Sequence, residues 1–493
     1  MLSSVDVGNI LHALQGEIEN DVTVIGGGTA GFIAATAAAR TGARTTLVEY
    51  MPFLSGTHGG AGLVLSATGF YHTYLGDRRF KYKDQLELLV KGLAFEYWNL
   101  LVRAGAAHGR ENEAPLNIIN DNELTKVVTE RMVLESGADI WFMSQFVDAL
   151  VDDGKLKGAL VTRGGGLWLI KTKVLIDASG DGIAAAQAGA SYELGRKSDG
   201  RPQPGSMFFE VGEVDIKKTL DHLKEHPDHF AETHYGFPPS ADYLLKRLRE
   251  GVPIRFKVSC GYDEAKAKGE LPIAPGEKAV PPSLGSIYLH WKSGRVVPYM
   301  VSLNMDMVYG LDPADRDQYD EMLVETKRFV LQILGHYRRY VPGFEDCWLS
   351  RFPPMLGLRE GRRIVGEYML TEQDAEHGAM FEDAVGRCGA FIDVHGEEVG
   401  TMLEHREVGG EHGWFHIPYR SLIPKDVDNM LVAGKLVSAD HVVHGSTRNM
   451  VICMMTGHAA GTAAALASRD NVSPRSLDVE RLQQVLRQQD AII

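Results

Sequence analysis

Short apolar runs alternate with stretches rich in small residues along this chain, and the first such unit is the most regular. In DVTVIGGGTAGFIAATAAARTGARTTLVEY, Val22, Val24 and Ile25 form a β-run and Phe32 to Arg40 an Ala-rich helix. Thr45 to Val48 is a second strand, ending at Glu49. Leu124, Val127, Val128 and Met132 keep helical spacing up to Gly137, and IWFM follows as a strand. FVDALV, LKGALVT and LWLIKTKVLID read as a β-meander, joined through Asp153-Gly154 and the glycines at 164–166. Towards the other end, Met430 to Ala433 reads as a buried strand, followed by a tight turn at Gly434, a polar loop and a long helix. Gly457, Ala459, Ala460, Gly461 and Ala463 make that helix thin enough to pack closely on another element. Ahead of all these, Val7, Ile10, Leu11, Leu14 and Ile18 follow helical spacing and predict a short N-terminal helix.

Residues ~205 to 350 change character, with more Pro, His, Tyr and Lys and no repeated βα pattern, and read as a cap inserted over a catalytic face. Within them, HLKEHPDHF reads as solvated helix and loop. His222 and His226 are four apart, but Pro227 breaks the helix that would hold them and His229 as ligands, so no metal site is expected.

Gly26, Gly28 and Gly31 stand at GxGxxG spacing between a strand and a helix, with an acid closing the next strand. Gly26 permits the tight turn, Gly28 lets backbone approach a pyrophosphate, and Gly31 allows close helix–strand packing. The helix start that includes Thr29 and Ala30 presents unpaired N–H groups and a partial positive charge to phosphate. Glu49 is placed to accept from ribose hydroxyls, which disfavours a 2′-phosphate. IDASGDGIAAAQAG is a second strand-to-helix turn. Its third glycine is replaced by Ala185 and no strand ending in an acid follows at the right distance, so one nucleotide site is expected.

Composition narrows the classes. The 54 glycines among 493 residues are an excess over the usual ~7%, as suits backbone that approaches a ligand closely. A formal charge of −14 argues against nucleic acid as the main partner. No run of 18 apolar residues is read that would cross a membrane, and the first residues lack the basic start and apolar core of a secretory signal. The four cysteines form no CxxC, which argues against an iron–sulfur cluster and suits a reducing cytoplasm.

With these pieces placed, the chain resembles the two-dinucleotide-fold flavoproteins of the glutathione reductase type. More closely, it is similar to FAD-dependent oxidoreductases related to the flavoprotein subunits of succinate dehydrogenase and fumarate reductase. The resemblance runs from about Asp21 to the C-terminus and is carried by VIGGGTAG with Glu49, IDASGDG, GLREGRRIVGEYMLTEQD, IPYRSLIP, NMLVAGKLVSADHVVHGSTRNM and GHAAGTAAA. It implies an α/β fold: a Rossmann-like FAD-binding domain with a β-meander, built from both chain ends (1–204 and 351–493), plus an inserted α+β substrate or cap domain (205–350). It also implies FAD rather than NAD. Gly26, Gly28, Gly31 and Glu49 would hold the ADP half, and Gly434 with the residues after it would lie along the ribityl chain and flavin. The helix starting near Asn449 and Met450 would aim its N-terminus at the flavin N1–C2=O2 edge, where a reduced flavin is negative.

Two departures stand out. The family often has an acid after the AG of the last strand, where this chain has Lys435. The family usually shows a Gly-Gly-x-x-Thr-like turn after the ribose acid, where this chain has SGTHGGAG, and His58 in that segment lies close to where fumarate reductase relatives place a histidine bonded to the flavin 8-methyl carbon. A covalent link there is one reading. The favoured one is a histidine touching the dimethylbenzene ring or substrate without a bond.

For the chemistry, His441, His444 and Arg448 precede the flavin-directed helix, and Arg359, Arg362 and Arg363 share GLREGRR. Taken as helical, positions 359 and 363 share a face and could bind a substrate carboxylate. The alternative pairs these arginines with Glu360, Glu367 or Asp374. His444 is expected as acid/base with His441 as the second candidate, because imidazole titrates near neutral pH. Arg448 would stabilise anionic flavin or substrate. Tyr71, His72, His290 and Trp291 are further candidates to line a pocket.

The expected activity is oxidation of a small organic substrate with hydride transfer to flavin N5, and an external electron acceptor left unnamed. The alternatives are a fumarate-reductase-like reductase of an activated C=C bond, or an electron-transfer subunit. A flavin hydroxylase ranks below these, since AGKLVSADH stands where a GDAAH-like segment is usual. A homo-oligomer is compatible with the sequence.

Overall fold

The computed structural model describes residues 14–59, 62, 65–67, 69–71, 87–115, 117–231, 240–277, 279–281, 283–396 and 404–493. The expected N-terminal helix is corrected where it can be seen. Leu14–Ile25 is a strand whose exposure alternates residue by residue before it dives into the core. Leu14 and Ile18, four apart, satisfy a period of two as well as one of 3.6. Pairing along the whole length of Gly166–Asp177 decides for the strand. Residues 7 to 13 lie outside the described residues.

A seven-stranded sheet holds the first half of the molecule together. Its path runs Asp139–Trp141, Thr45–Val48, Leu14–Ile25, Gly166–Asp177, Lys155–Arg163 and Gln145–Asp152. Gly166–Asp177 divides its second edge: its first part is antiparallel to Lys155–Arg163, and Leu175 to Asp177 pair in parallel with Met430–Val432 from far along the chain. In register, Ile25 lies beside Val48 and Asp177, and Asp177 beside Val432. Four parallel strands therefore end at one edge of the sheet. In an open α/β sheet, ligands bind just past such carboxyl ends.

Two helices cover this sheet. Thr29–Arg40 is buried from Thr29 to Ala38, as an all-round apolar helix has to be. Met450–Asp470 lies against it, and glycine makes the approach possible: a Cβ on Gly457 would stand 2.2 Å from the Ala30 carbonyl oxygen. One on Gly461 would stand equally close to the Ala34 oxygen, at 2.2 Å. Contrary to the expectation from the apolar runs, Met450–Asp470 is long and apolar enough to cross a membrane, with mean hydropathy 1.5, but 94% of that window is buried inside the protein. It is the central core helix.

The middle of the chain builds a five-stranded antiparallel sheet in the order Arg255–Lys257, Ser286–Lys292, Arg295–Asn304, Phe209–Gly212, Trp348–Arg351. Phe329, Val330, Ile333, Leu334 and Tyr337 of the helix Arg316–Tyr340 share its core, which is separate from the core under the first sheet.

Two local expectations change. The polar loop after Gly434 contains a short helix, His441–Thr447, because the Asp440 carboxylate caps it by accepting from the Val442 and Val443 N–H groups. GLREGRR is extended rather than helical. Arg363–Ile364 pairs antiparallel with Tyr192–Glu193, and Gly361 passes so close to Gly180 that a Cβ would lie 2.6 Å from its carbonyl oxygen.

Candidate functional site

A cavity of about 650 Å³ opens where the four parallel strands end. Its floor is formed by the residues that follow those strands: Gly26, Glu49, Ala178 and Ala433 with Gly434. The middle sheet supplies the opposite wall through Arg255, Lys257, Tyr288 and Asn304.

The glycine turn has the geometry a nucleotide needs. Gly26 has φ +94°, and a Cβ there would meet Ser179 Cα at 2.6 Å. At Gly31 a Cβ would lie only 1.8 Å from the Gly26 oxygen, so this glycine closes helix onto turn and does not line the cavity. Gly28 differs: a Cβ added there meets nothing within 4 Å, so that face of the turn is open space. Gly28 caps Thr29–Arg40 without a side-chain hydrogen bond, and Gly28, Thr29 and Ala30 all line the cavity. Their first-turn N–H groups have no intrahelical acceptor. Glu49 Oε2 accepts from Gly27 N at 2.6 Å and Oε1 from Met51 N at 2.8 Å, which ties the acid to the turn. Burial pushes the Glu49 carboxyl above the usual range, against the pull of those backbone hydrogen bonds.

A second uncapped helix start reaches the same cavity. Met450–Asp470 begins at Asn449, whose side-chain Nδ2 donates backwards to the Gly445 and Ser446 carbonyls and leaves the first turn uncapped. Asn449 and Met450 line the cavity. Gly434, at φ +76°, turns the last strand under Ala30. Lys435 Nζ stands 3.4 Å from Asp181 Oδ1 and 3.2 Å from the Leu358 carbonyl oxygen. Asp181, from the second glycine turn, thus places a carboxylate beside Lys435 on the cavity wall.

These features fit FAD. The open face at Gly28 would admit a pyrophosphate, the uncapped start of Thr29–Arg40 would offset its charge, and the Glu49 carboxylate, tied to the glycine turn, could accept from ribose hydroxyls.

Charged groups gather on the remaining wall. Arg448 donates from Nη2 to Asp393 Oδ2 at 2.9 Å and to the Asp393 carbonyl at 2.7 Å. His395 Nε2 lies 3.3 Å from Asp393 Oδ1. Arg448, Asp393, His395 and Arg359 all line the cavity. Arg359 also donates to the Pro204 carbonyl at 2.5 Å. Burial lowers the Arg448 guanidinium from its ordinary value, and the neighbouring Asp393 works against that.

The expected histidines lie elsewhere. His444 is fully buried, its Nε2 donates to the Lys435 carbonyl at 3.1 Å, and it does not line the cavity. Burial holds it neutral. Its place in a capped helix turns the ring into the core, away from the expected acid/base position. His441 Nδ1 pairs with Glu360 Oε1 at 3.1 Å, and it too lies off the cavity. Glu360 is in turn bonded by Arg363, which is 1% exposed and also donates to the Gly195 and Ala439 carbonyls. That network joins segments of the chain and leaves Arg363 no route to a substrate. Arg362 donates to the Asp181 carbonyl at 3.0 Å and lies over the Tyr192 ring.

His58 is also corrected. It is fully buried, absent from the cavity wall, and bonded through Nε2 to Asn120 Oδ1 at 3.0 Å. The short turn Gly56–His58 sends Gly56 and Thr57 to the cavity and the His58 ring inward against Tyr97. Neither a flavin bond nor a ring contact follows from that position. His290 is buried against Ser302, and Trp291 donates to the Gly105 carbonyl. Neither lines the cavity, nor does Tyr71, and His72 lies outside the described residues.

Sequence reasoning missed Asp393, His395, Arg255 and Lys257. FIDVHG carries no spacing that marks its Asp and His, and Arg255 and Lys257 alternate with Phe256 as in any half-buried strand. Asp181 did have a signal, the glycine-rich turn that contains it.

Comparison with known proteins gives the following. The sequence model of a family described as FAD dependent oxidoreductase matches residues 21–486. No curated protein matches the sequence. Among solved structures, a geranylgeranyl bacteriochlorophyll reductase-like protein from Thermoplasma acidophilum is similar at 13% identity and TM-score 0.41, over 96% of this chain and 84% of that one. A p-nitrophenol 4-monooxygenase from Pseudomonas putida is similar at 10% identity and TM-score 0.43, over 94% and 83%. A flavoprotein/dehydrogenase from Cytophaga hutchinsonii is similar at 13% identity and TM-score 0.42, over 95% and 84%. At these values the likenesses assign nothing to this chain.

Proposed function

This chain belongs to the FAD-dependent oxidoreductase family, and on that premise we propose that it is a dehydrogenase or oxidase acting on a small organic substrate that carries a carboxylate or similar anion. One observation carries the reading: Arg448, Asp393 and His395 meet on the wall of the cavity that both uncapped helix starts reach.

When bound, FAD supplies a two-electron acceptor at N5. The residues of this chain do the rest. N–H groups at Gly28 to Ala30 would hold the pyrophosphate, and Glu49 would accept from ribose hydroxyls. Lys435, Asp181 and the start of Met450–Asp470 would hold the flavin half, the helix start supplying partial positive charge that would stabilise negative charge on the reduced ring. Arg448, held in place by Asp393, and Arg359 orient the substrate anion. Asp393 favours the tautomer of His395 with the proton on Nε2, and His395 would be the group that accepts a proton as the substrate is oxidised. The aromatic rings of Tyr288 and Phe208 on the far wall exclude water.

In this reading residues 205–350 form the substrate-side cap on an FAD domain made of 1–204 and 351–493. Four free, buried cysteines support a reducing, cytoplasmic setting. Electrons would leave to an external acceptor.

Anaerobic mixing of the holoenzyme with a panel of saturated carboxylic acids, amines and alcohols tests the proposal. Bleaching of the visible flavin band by a carboxylate, and not by its methyl ester, is the expected result. Reoxidation of pre-reduced enzyme by an enoate, with no bleaching by any saturated acid, would reverse the direction. Equal response to acid and ester would remove the anion requirement.

A further inference from the structure

Outside the cavity, one cluster of side chains has no part in the chemistry above. We propose that His222, His229 and Cys260 bind a single borderline divalent cation, Zn²⁺ by ligand type, that clips the middle sheet to the helix beside it.

The geometry begins with the proline that argued against such a site. Ile216–Glu225 ends at His226, and Pro227–His229 forms a tight turn that swings the chain back. The break therefore brings the His229 ring onto His222 instead of separating them: His222 Nε2 and His229 Nδ1 are 2.9 Å apart. Cys260, 1% exposed, comes to the same point from the segment after Arg255–Lys257. One ligand atom from each of the three residues lies within 4.8 Å of the others. Tetrahedral zinc with its usual bond lengths sets its ligand atoms about 3.3–3.8 Å apart, so small side-chain rotations suffice to form the site. His226 stacks on His229, with ring centres 5.3 Å apart, lies tilted beside His222 at 4.5 Å, and is exposed. It or water can complete four-coordination.

The backbone around the cluster is already set. Ser259 N donates to the His229 carbonyl at 2.9 Å and Ala231 N to the Lys257 carbonyl at 3.2 Å. His336, on the long helix, donates from Nε2 to the Cys260 carbonyl at 3.1 Å and anchors that residue through its main chain. Three half- or fully buried donors of nitrogen and sulfur, with no oxygen ligand among them, match zinc in preference to magnesium or calcium. On binding, the Cys260 thiol loses its proton to solvent and its sulfur forms the new bond to the metal. No oxidation or reduction is involved. None of the three residues lines the cavity, so the cation is structural. Its reach is nevertheless short: Arg255 and Lys257, on the cavity wall, stand in the strand just before Cys260.

The test uses the full-length holoenzyme, stripped with a chelator and titrated with Zn²⁺ by calorimetry, followed by zinc X-ray absorption. The expected result is one equivalent, with one sulfur at about 2.3 Å and nitrogens at about 2.0–2.1 Å. Cys260→Ser should lose the sulfur shell, and His229→Gln should weaken binding by about tenfold or more. Flavin content should stay unchanged in both. Cys347→Ser, altering another buried thiol of the same core, should leave uptake intact. If the variants do not fold, the wild-type spectrum decides: no stoichiometric uptake, or a shell of oxygen and nitrogen without sulfur, overturns the proposal.

Discussion

Arg448 and Asp393, 55 residues apart in the chain, share two hydrogen bonds, one to the carboxylate at 2.9 Å and one to the carbonyl at 2.7 Å. The contact depends on Gly445, where a Cβ would stand 2.9 Å from the Asp393 nitrogen and oxygen. A helix turn without a side chain thus lets the Asp393 strand come close enough to hold the arginine against the cavity.

Hydrogen bonds to charged partners contribute about 1.5–3 kcal/mol, and each 1.36 kcal/mol is tenfold. Asp393→Asn should therefore lower kcat/KM by roughly 10–100-fold with flavin content unchanged. Steady-state kinetics on the substrate that reduces the flavin would measure this. Kinetics equal to wild type would remove Asp393 from the proposed role.

Two glycines should separate binding from folding. Gly28→Ala adds a methyl group into open space at φ −68°, so the melting temperature should hold while FAD affinity falls by about tenfold or more. Gly457→Ala drives a methyl into the Ala30 carbonyl and should destabilise the protein by about 1–3 kcal/mol. Paired thermal denaturation and flavin titration check both. The reverse assignment of effects would contradict the packing described.

His58 points into the core, so acid precipitation should leave the yellow colour in the supernatant. Burial holds its imidazole down at about 4, against the opposing Asn120 hydrogen bond. The unfolded chain then binds more protons than the folded one between about pH 6.5 and 4, so stability falls as pH drops through that window. In His58→Gln that part of the pH dependence should flatten, as read by urea denaturation at stepped pH.

Glu360 titrates in the opposite sense. Burial alone would raise its carboxyl, but the His441 hydrogen bond and the nearby positive charges outweigh it and hold it at about 2. A depressed acid stabilises the fold above its unfolded value near 4.5 and loses that contribution as pH falls towards 2. Glu360→Gln should cost roughly 3 kcal/mol at most at pH 7 and progressively less in acid. A penalty independent of pH would show that His441 and Arg363 do not act through its charge.

The fingerprint unit was legible because every cue lay within a few turns of chain: strand, three spaced glycines, helix, strand and acid. Gly457 and Gly461 announced a close helix contact but not its partner, since sequence carries no address for the facing surface. Leu14 and Ile18 were misread because a spacing of four fits two periods, and only the neighbouring strand chose between them.

Local sequence determined the glycine turn at Gly26 to Gly31, the meander and the thin helix Met450–Asp470, since each depends on backbone preferences and spacing that neighbours in the chain specify. It could not determine which charged groups face the nucleotide. His444 had the expected residue type and place in the chain and is buried; His395 had no marking pattern and lines the cavity. That choice belongs to tertiary structure, because side-chain direction at the cavity follows from how two sheets and two helices pack. The same holds for His222, His229 and Cys260, which a proline-bent turn and a strand end bring to one point.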